Sequence, residues 1–369
     1  VSSCAPEVRV TSLILALSIG LGPQVSQPIH LPKLDPPTKD APAPTDAEMA
    51  TLKAGVALFQ QKRYDEAIAK YQEVVAANPD AVGAIYEIAL AYAAKGDRTK
   101  AIDVVLPTLQ YRSPDLDKHY ALVGSMLDEL NAPNDAVTVY EAGLAALPKS
   151  GTLYFNKALT ELQSLKDPAA ALITLKRGAV ADPAHAGVQV LLGRLFLADD
   201  FRSPALLALS RVLIVEQGTP RTVDVYKAWY ALLQQNISKA ANGQMELHVN
   251  PGKKTTEGQL VQLDLQIALS QTATATANQT FGERLVAQWN GLLGVWSKYT
   301  AGDDADKMLW TYYMPYFREM RAQNVIEPFV YYVSQNVNAP GIREWIASHR
   351  DAIQAFVAWN RAYVWPTAR

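Results

Sequence analysis

Cysteine is nearly missing from this chain of 369 residues: Cys4 stands alone, so neither an internal disulfide framework nor a cysteine-rich metal site can be assembled. An excess of positive charge is missing too. With 34 Lys and Arg against 36 Asp and Glu, the net charge is −2, and no basic domain marks nucleic acid as a partner. The short motifs of catalysis are absent: there is no HExxH, no phosphate-cradling GxxxxGK and no GxSxG elbow. Five histidines (His30, His119, His185, His248, His349) include no pair at metal-ligand spacing. Two tight acidic clusters, Asp199-Asp200 and Asp303-Asp304-Asp306, sit at predicted helix boundaries, where aspartate caps or solvates a turn. The expectation is therefore a non-enzymatic protein with no cofactor and no metal.

A long apolar run is also lacking. Residues 10–21 (VTSLILALSIGL) follow Arg9 and are too short to cross a bilayer, but they have the length of a signal-peptide core, and Ser18-Ile19-Gly20 offers small residues at the spacing a signal peptidase reads. Cys4 precedes that run, so it is not placed as the lipid-bearing cysteine of a lipoprotein. The reading is a signal peptide over 1–22 and an exported protein, whether periplasmic, cell-surface or secreted. Residues 23–44 hold seven prolines (Pro23, Pro28, Pro32, Pro36, Pro37, Pro42, Pro44) and read as an extended linker without a core. Asn236-Ile237-Ser238 and Asn278-Gln279-Thr280 match glycan acceptors and decide nothing without a source.

What the chain does have is a period. Ala67, Ala101, Ala136 and Ala171 recur at 34, 35 and 35 residues, each followed about a dozen residues on by Pro79, Pro114, Pro148 or Pro183. Such a period, with two amphipathic helices per copy, predicts a solenoid whose units bury their apolar faces on one another. Five units follow, at 48–81, 82–116, 117–151, 152–185 and 186–219, opened by a capping box at Thr45 and Glu48.

Unit one supplies Gly55, Tyr64, Ala67, Tyr71 and Pro79, unit two Ala89, Tyr92, Ala101 and Pro114, and unit three Gly124, Ala136, Tyr140, Gly143 and Pro148. Unit four keeps Ala171, Gly178 and Pro183 but places Leu159 where a small residue is expected. Unit five keeps Gly193 and Ala205, with Gln217 in place of the closing proline. In steric terms, Gly55 or Gly124 on the first helix faces Ala67 or Ala136 on the second, letting the backbones approach, while Tyr71 and Tyr140 fill the space beside them. This pattern resembles the tetratricopeptide repeat (TPR) superfamily over about residues 45–219. The resemblance implies an all-α, right-handed helical solenoid, read here over 45–240; residues 241–369 resemble no named family and are read from their own helical patterns and aromatic residues as an aromatic-rich α-helical region.

It also implies a concave groove, lined by the first helix of each unit, that binds a protein or peptide. The groove candidates are Tyr86, Glu87, Lys118, Ser125, Asn156, Thr160 and Arg194, with Leu52, Val56 and Val190 alongside. Leu52 and Val56 stand where carboxylate-clamp members of the family carry lysine and asparagine, which argues against a chaperone-tail clamp. All seven tryptophans lie beyond the strong repeats, six of them in 241–369, and Trp345, Trp359 and Trp365 are candidates for an exposed aromatic platform. The alternative function is therefore a carbohydrate-binding or hydrolytic C-terminal domain on a repeat spacer, or a subunit of a cell-surface assembly, self-association included.

Overall fold

In the computed structural model the described residues are 31–234, 237–239, 245–247, 258–274, 279–299 and 308–366. The expected signal peptide, the first part of the proline-rich linker and the Asp303-Asp304-Asp306 cluster lie outside them.

Five helix pairs occupy the five predicted units: α1 (Asp46–Gln60) and α2 (Tyr64–Ala77), α3 (Val82–Ala94) and α4 (Arg98–Val105), α5 (Leu116–Glu129) and α6 (Pro133–Ala146), α7 (Gly151–Gln163) and α8 (Pro168–Ala181), α9 (Ala186–Ala198) and α10 (Arg202–Val215). Local chemistry sets their starts. The Thr45 hydroxyl accepts the Glu48 amide at 3.2 Å while the Glu48 carboxylate accepts the Thr45 amide at 2.6 Å. Asp97, Ser150, Asp167 and the His185 ring likewise cap α4, α7, α8 and α9, and Pro133 and Pro168 open α6 and α8.

Each hairpin turns through one left-handed residue: Lys62, Gly96, Asn131, Lys166 and Asp200, with φ between 55° and 88°. That conformation satisfies the carbonyls at the end of the first helix, as in Arg63 N–H to Leu58 O at 3.0 Å and Ala132 N–H to Leu127 O at 2.9 Å. Asp200 of the first acidic cluster is thus a turn residue, its carboxylate held by Arg202.

Small residues recur inside the hairpins at Gly55, Ala89, Gly124, Ala158 and Gly193, all of them buried. Two expectations are corrected here. The small residue of unit four is Ala158, fully buried, and not its half-buried neighbour Leu159. The glycines face tyrosine rings rather than the alanines: a β-carbon on Gly55 would stand 2.7 Å from Tyr71 Cδ1, and one on Gly124 would overlap the ring of Tyr140. Tyr71 and Tyr140 occupy the glycine's missing side chain directly.

Unit two departs from its siblings. Pro107 can neither donate to the ladder nor fit the preceding turn, so α4 stops at Val105 and passes into a 3₁₀ turn over Leu106–Gln110. The chain then runs straight through β2 (Tyr111–Arg112), which pairs in parallel with β1 (Lys39–Asp40). Part of the segment expected to be a free linker is therefore tied to the repeats. At the end of unit five, Gly218 at φ +71° makes the turn that the missing proline makes elsewhere. Pro220 then begins α11 (Pro220–Gln234).

Helix α10 is buried all round, from Ser203 to Ile214, as befits a helix with no polar face. It packs on α9, on α11, and on the C-terminal helices α12 (Gly258–Thr274) and α15 (Ile326–Ser334). The rest of that region is α13 (Phe281–Trp296), α14 (Met314–Ala322), α16 (Ile342–Ser348), α17 (Arg350–Ala362) and a hairpin of β3 (Ile237–Lys239) with β4 (Met245–Leu247). Ahead of Pro315, residues Leu309–Tyr313 widen into a π turn with Met314 N–H donating to Leu309 O, a geometry that relieves the clash of a proline ring with the preceding turn. It carries two consecutive tyrosines inward: Tyr312 donates to Ala179 O at 2.5 Å and Tyr313 to Gln189 Oε1 at 2.6 Å.

One apolar core runs from Tyr154 in α7 to Phe356 in α17, so units four and five share their interior with the C-terminal helices. Residues 34–369 form one compact unit. Among the described residues no helix is long and apolar enough to cross a membrane.

Candidate functional site

First helices touch along the stack, α3 with α5, α5 with α7 and α7 with α9, whereas the second helices of neighbouring units make no comparable contact. The stack is tighter on the first-helix side, which makes that face the inner one. The C-terminal helices attach chiefly through α10, a second helix, by way of α12, α15 and the π turn.

On the inner face the best-defined cluster joins units two and three. Tyr86 of α3, half-buried, stacks on His119 of α5 with ring centroids 4.7 Å apart and planes 15° from parallel. His119 is buried, and its Nδ1 lies 2.7 Å from Thr108 Oγ1, which in turn sits 2.5 Å from Val105 O. One arrangement satisfies all three groups: Thr108 donates to the carbonyl and accepts from a proton on Nδ1. Burial lowers the His119 pKa to about 4, against the pull of Asp115 and Asp117, so the ring is neutral at physiological pH.

Beside the stack, burial raises the Glu87 carboxyl, opposed first by Lys118, and also pushes the Tyr86 hydroxyl upward. Lys118 is exposed and pairs with Asp115 at 2.7 Å. Tyr86, Glu87 and Lys118 thus present an aromatic edge, a carboxyl and an ammonium together.

The remaining candidates divide. Arg194 is exposed on α9. Ser125 is half-buried with its hydroxyl 3.4 Å from the Tyr140 hydroxyl, and Asn156 donates to Thr152 O on its own helix at 2.9 Å. Thr160 is corrected: it is 1% exposed and donates to Asp128 Oδ2 at 2.9 Å, so it ties α7 to α5 and lines no open surface. Val190 is buried as well. Next to Thr160, Lys157 and Glu161 form an ion pair at 2.8 Å with 11% and 6% of their side chains exposed.

The three platform candidates are half-buried, with other rings packed against them. Trp345 lies between Tyr331 at 3.9 Å and His349 at 4.2 Å, each 7° from parallel. Trp359 packs with Tyr316, Phe356 and Tyr363. Trp365 packs with Tyr312, Tyr316 and Tyr363, and the buried guanidinium of Arg211 stands 4.4 Å from its ring. Aromatic rings of this area make a core when they find one another.

The sequence pattern does not single out His119 or Arg211. No repeat signal marks the first, because Tyr86 is the fifth residue of unit two and His119 the third of unit three, so aligning the repeats does not pair them. Nothing local marks Arg211, whose partners Pro183, Tyr316, Asn360 and Trp365 come from distant segments. Among the described residues no cluster of three or more His, Cys, Asp or Glu is placed to hold a metal ion.

The family described as TPR repeat matches residues 55–96, which run from Gly55 to the left-handed Gly96. The chain thus carries TPR-type repeats in an all-α, TPR-like helical solenoid. Solved structures similar to it include a thermophilic TPR protein of Thermus thermophilus (19% identity, TM-score 0.39, 50% of this chain and 97% of that one). Another is pilF of Pseudomonas aeruginosa (15%, 0.40, 50% and 85%). A third is MamA of Desulfovibrio magneticus RS-1 (19%, 0.35, 47% and 97%). No curated protein matches the chain.

Proposed function

We propose that this protein is a non-enzymatic, exported scaffold whose inner face binds an extended protein or peptide segment. The observation that carries the reading is the Tyr86, Glu87 and Lys118 cluster on the first-helix side, where an aromatic edge, a carboxyl and an ammonium converge on the inner face of the stack. Such groups read a peptide by side-chain stacking and paired charge. Arg194 extends the surface two units further along. Export is supported by the signal-peptide pattern of residues 10–21.

The test is co-purification from the native source with the wild type and with the triple variant Tyr86→Ala, Asn156→Ala, Arg194→Ala. Loss of one or more partners at unchanged helicity supports the groove. Retention of every partner rejects it. Export is tested separately, by fractionating cells that make the full chain and following removal of the leader by mass.

A further inference from the structure

The early end of α4 ahead of Pro107 leaves Tyr111 and Arg112 extended after the 3₁₀ turn, and a second extended segment lies along them. Thr38 N–H donates to Gln110 O and Ala41 N–H to Arg112 O, both at 3.0 Å, with Lys39 opposite Tyr111 and Asp40 opposite Arg112. The Arg112 guanidinium reaches three groups of that segment: the Asp40 carboxylate at 2.7 Å, Thr38 O at 3.1 Å and Pro37 O at 3.3 Å. Lys39 Nζ stands 5.1 Å from the centre of the Tyr111 ring, whose hydroxyl is fixed on Asp80 at 2.5 Å.

These are the elements by which a sheet edge reads an extended peptide. Backbone pairing supplies register, and a guanidinium selects a carboxylate together with the carbonyls beside it. Pro36 and Pro37 hold the segment extended before it pairs, because proline fixes its own φ and disfavours the helical region in the residue before it. Attachment is light. Residues 38–40 are exposed and so is Arg112, and the Arg112–Asp40 pair leaves 56% and 79% of its side chains in solvent, where ion pairs contribute little. Residues 41–44 then lead to the Thr45 cap, so this segment can leave without disturbing the start of α1.

We propose that Gln110, Tyr111 and Arg112 form a strand-pairing site for an extended, proline-flanked acidic peptide, and that residues 37–41 of the same chain occupy it as a releasable strap. The site uses none of the inner-face residues and stands or falls apart from the groove.

The probe is a fluorescent peptide of residues 34–43 (LDPPTKDAPA), and the protein is the full chain carrying Thr38→Pro and Ala41→Pro, which removes both strap donors and leaves 110–112 unchanged. The peptide is expected to bind this variant at least about tenfold more tightly than the wild type, and Arg112→Ala in the same background to weaken it by about tenfold or more. Far-UV circular dichroism verifies that the variants keep their helices. In the wild type, the Thr38 and Ala41 amides are expected to exchange at least about a hundredfold faster than the Tyr71 amide, since the strap opens alone. Equal binding to wild type and strap variant, no binding to either, indifference to Arg112→Ala, or strap amides that exchange only with global unfolding would each overturn the proposal.

Discussion

The ring of Tyr140 fills the space that a side chain on Gly124 would need: it lies across the hairpin on α6, with its hydroxyl 2.9 Å from where that β-carbon would stand. Tyr140 is fully buried, so it has nowhere to retreat. Gly124→Ala is expected to destabilise the protein by about 1–3 kcal/mol, the usual cost of overpacking. Gly291→Ala, where a β-carbon meets nothing within 4 Å, is expected to do no harm. Denaturant midpoints of the two variants check this, and equal midpoints would remove the steric account of the repeat.

His119 makes stability depend on pH. Its folded pKa of about 4 lies below the ordinary value of 6.5, so between these values the unfolded chain binds more protons. The group's contribution is complete above pH 6.5 and is lost as pH falls toward 4, amounting to roughly 3 kcal/mol. Asp264, raised by burial to about 6, acts in the opposite sense over part of the same window. The wild type and His119→Gln should therefore be compared in stability at each pH. Their difference should shrink on acidification, and a constant difference would show that His119 does not titrate as described.

Asp264 on α12 caps a helix from outside. Its carboxylate accepts the Ser203 amide at 2.8 Å and the Arg202 amide at 3.3 Å, at the start of α10. Asp264→Ala is expected to cost about 1–2 kcal/mol, the range for a lost N-terminal cap. Thermal unfolding measures it, and Asp264→Asn, which keeps an acceptor, should recover part of the loss.

Lys166 holds φ at 55° in the turn between α7 and α8, where a β-carbon is strained. Lys166→Gly is expected to stabilise by up to about 1 kcal/mol, the strain relief being partly offset by the greater freedom of glycine when unfolded. Gly96, already suited to the same turn of unit two, should lose stability as Gly96→Lys. Chemical denaturation of both variants checks the pair of signs.

Much of the solenoid is legible because its determinants are local and repeat: caps, turn residues, small residues at one place in each unit, and prolines past the helix ends. Leu159 and Ala158 differ by one place within that register, and the 34-residue step from Gly124 lands on Ala158. The groove is legible only as a face. Which residues on it stay open depends on their partners, and Thr160 turns inward because Asp128, on the neighbouring helix, accepts its hydroxyl. The surroundings of the tryptophans are not legible for the same reason, since no spacing within one helix tells that half-buried Trp345 lies between Tyr331 and His349.

By itself, then, the sequence determined the all-α class, the period of the stack and the ends of its helices, because each follows from chemistry within one hairpin. Tertiary structure alone decided that Arg211 is enclosed by Tyr316, Asn360 and Trp365, that α10 is covered on every side, and that residues 38–41 pair with 110–112. Those outcomes join segments up to 154 residues apart, the separation of Arg211 and Trp365, and contacts at such separation are fixed by the packing of the whole chain, which no local pattern records.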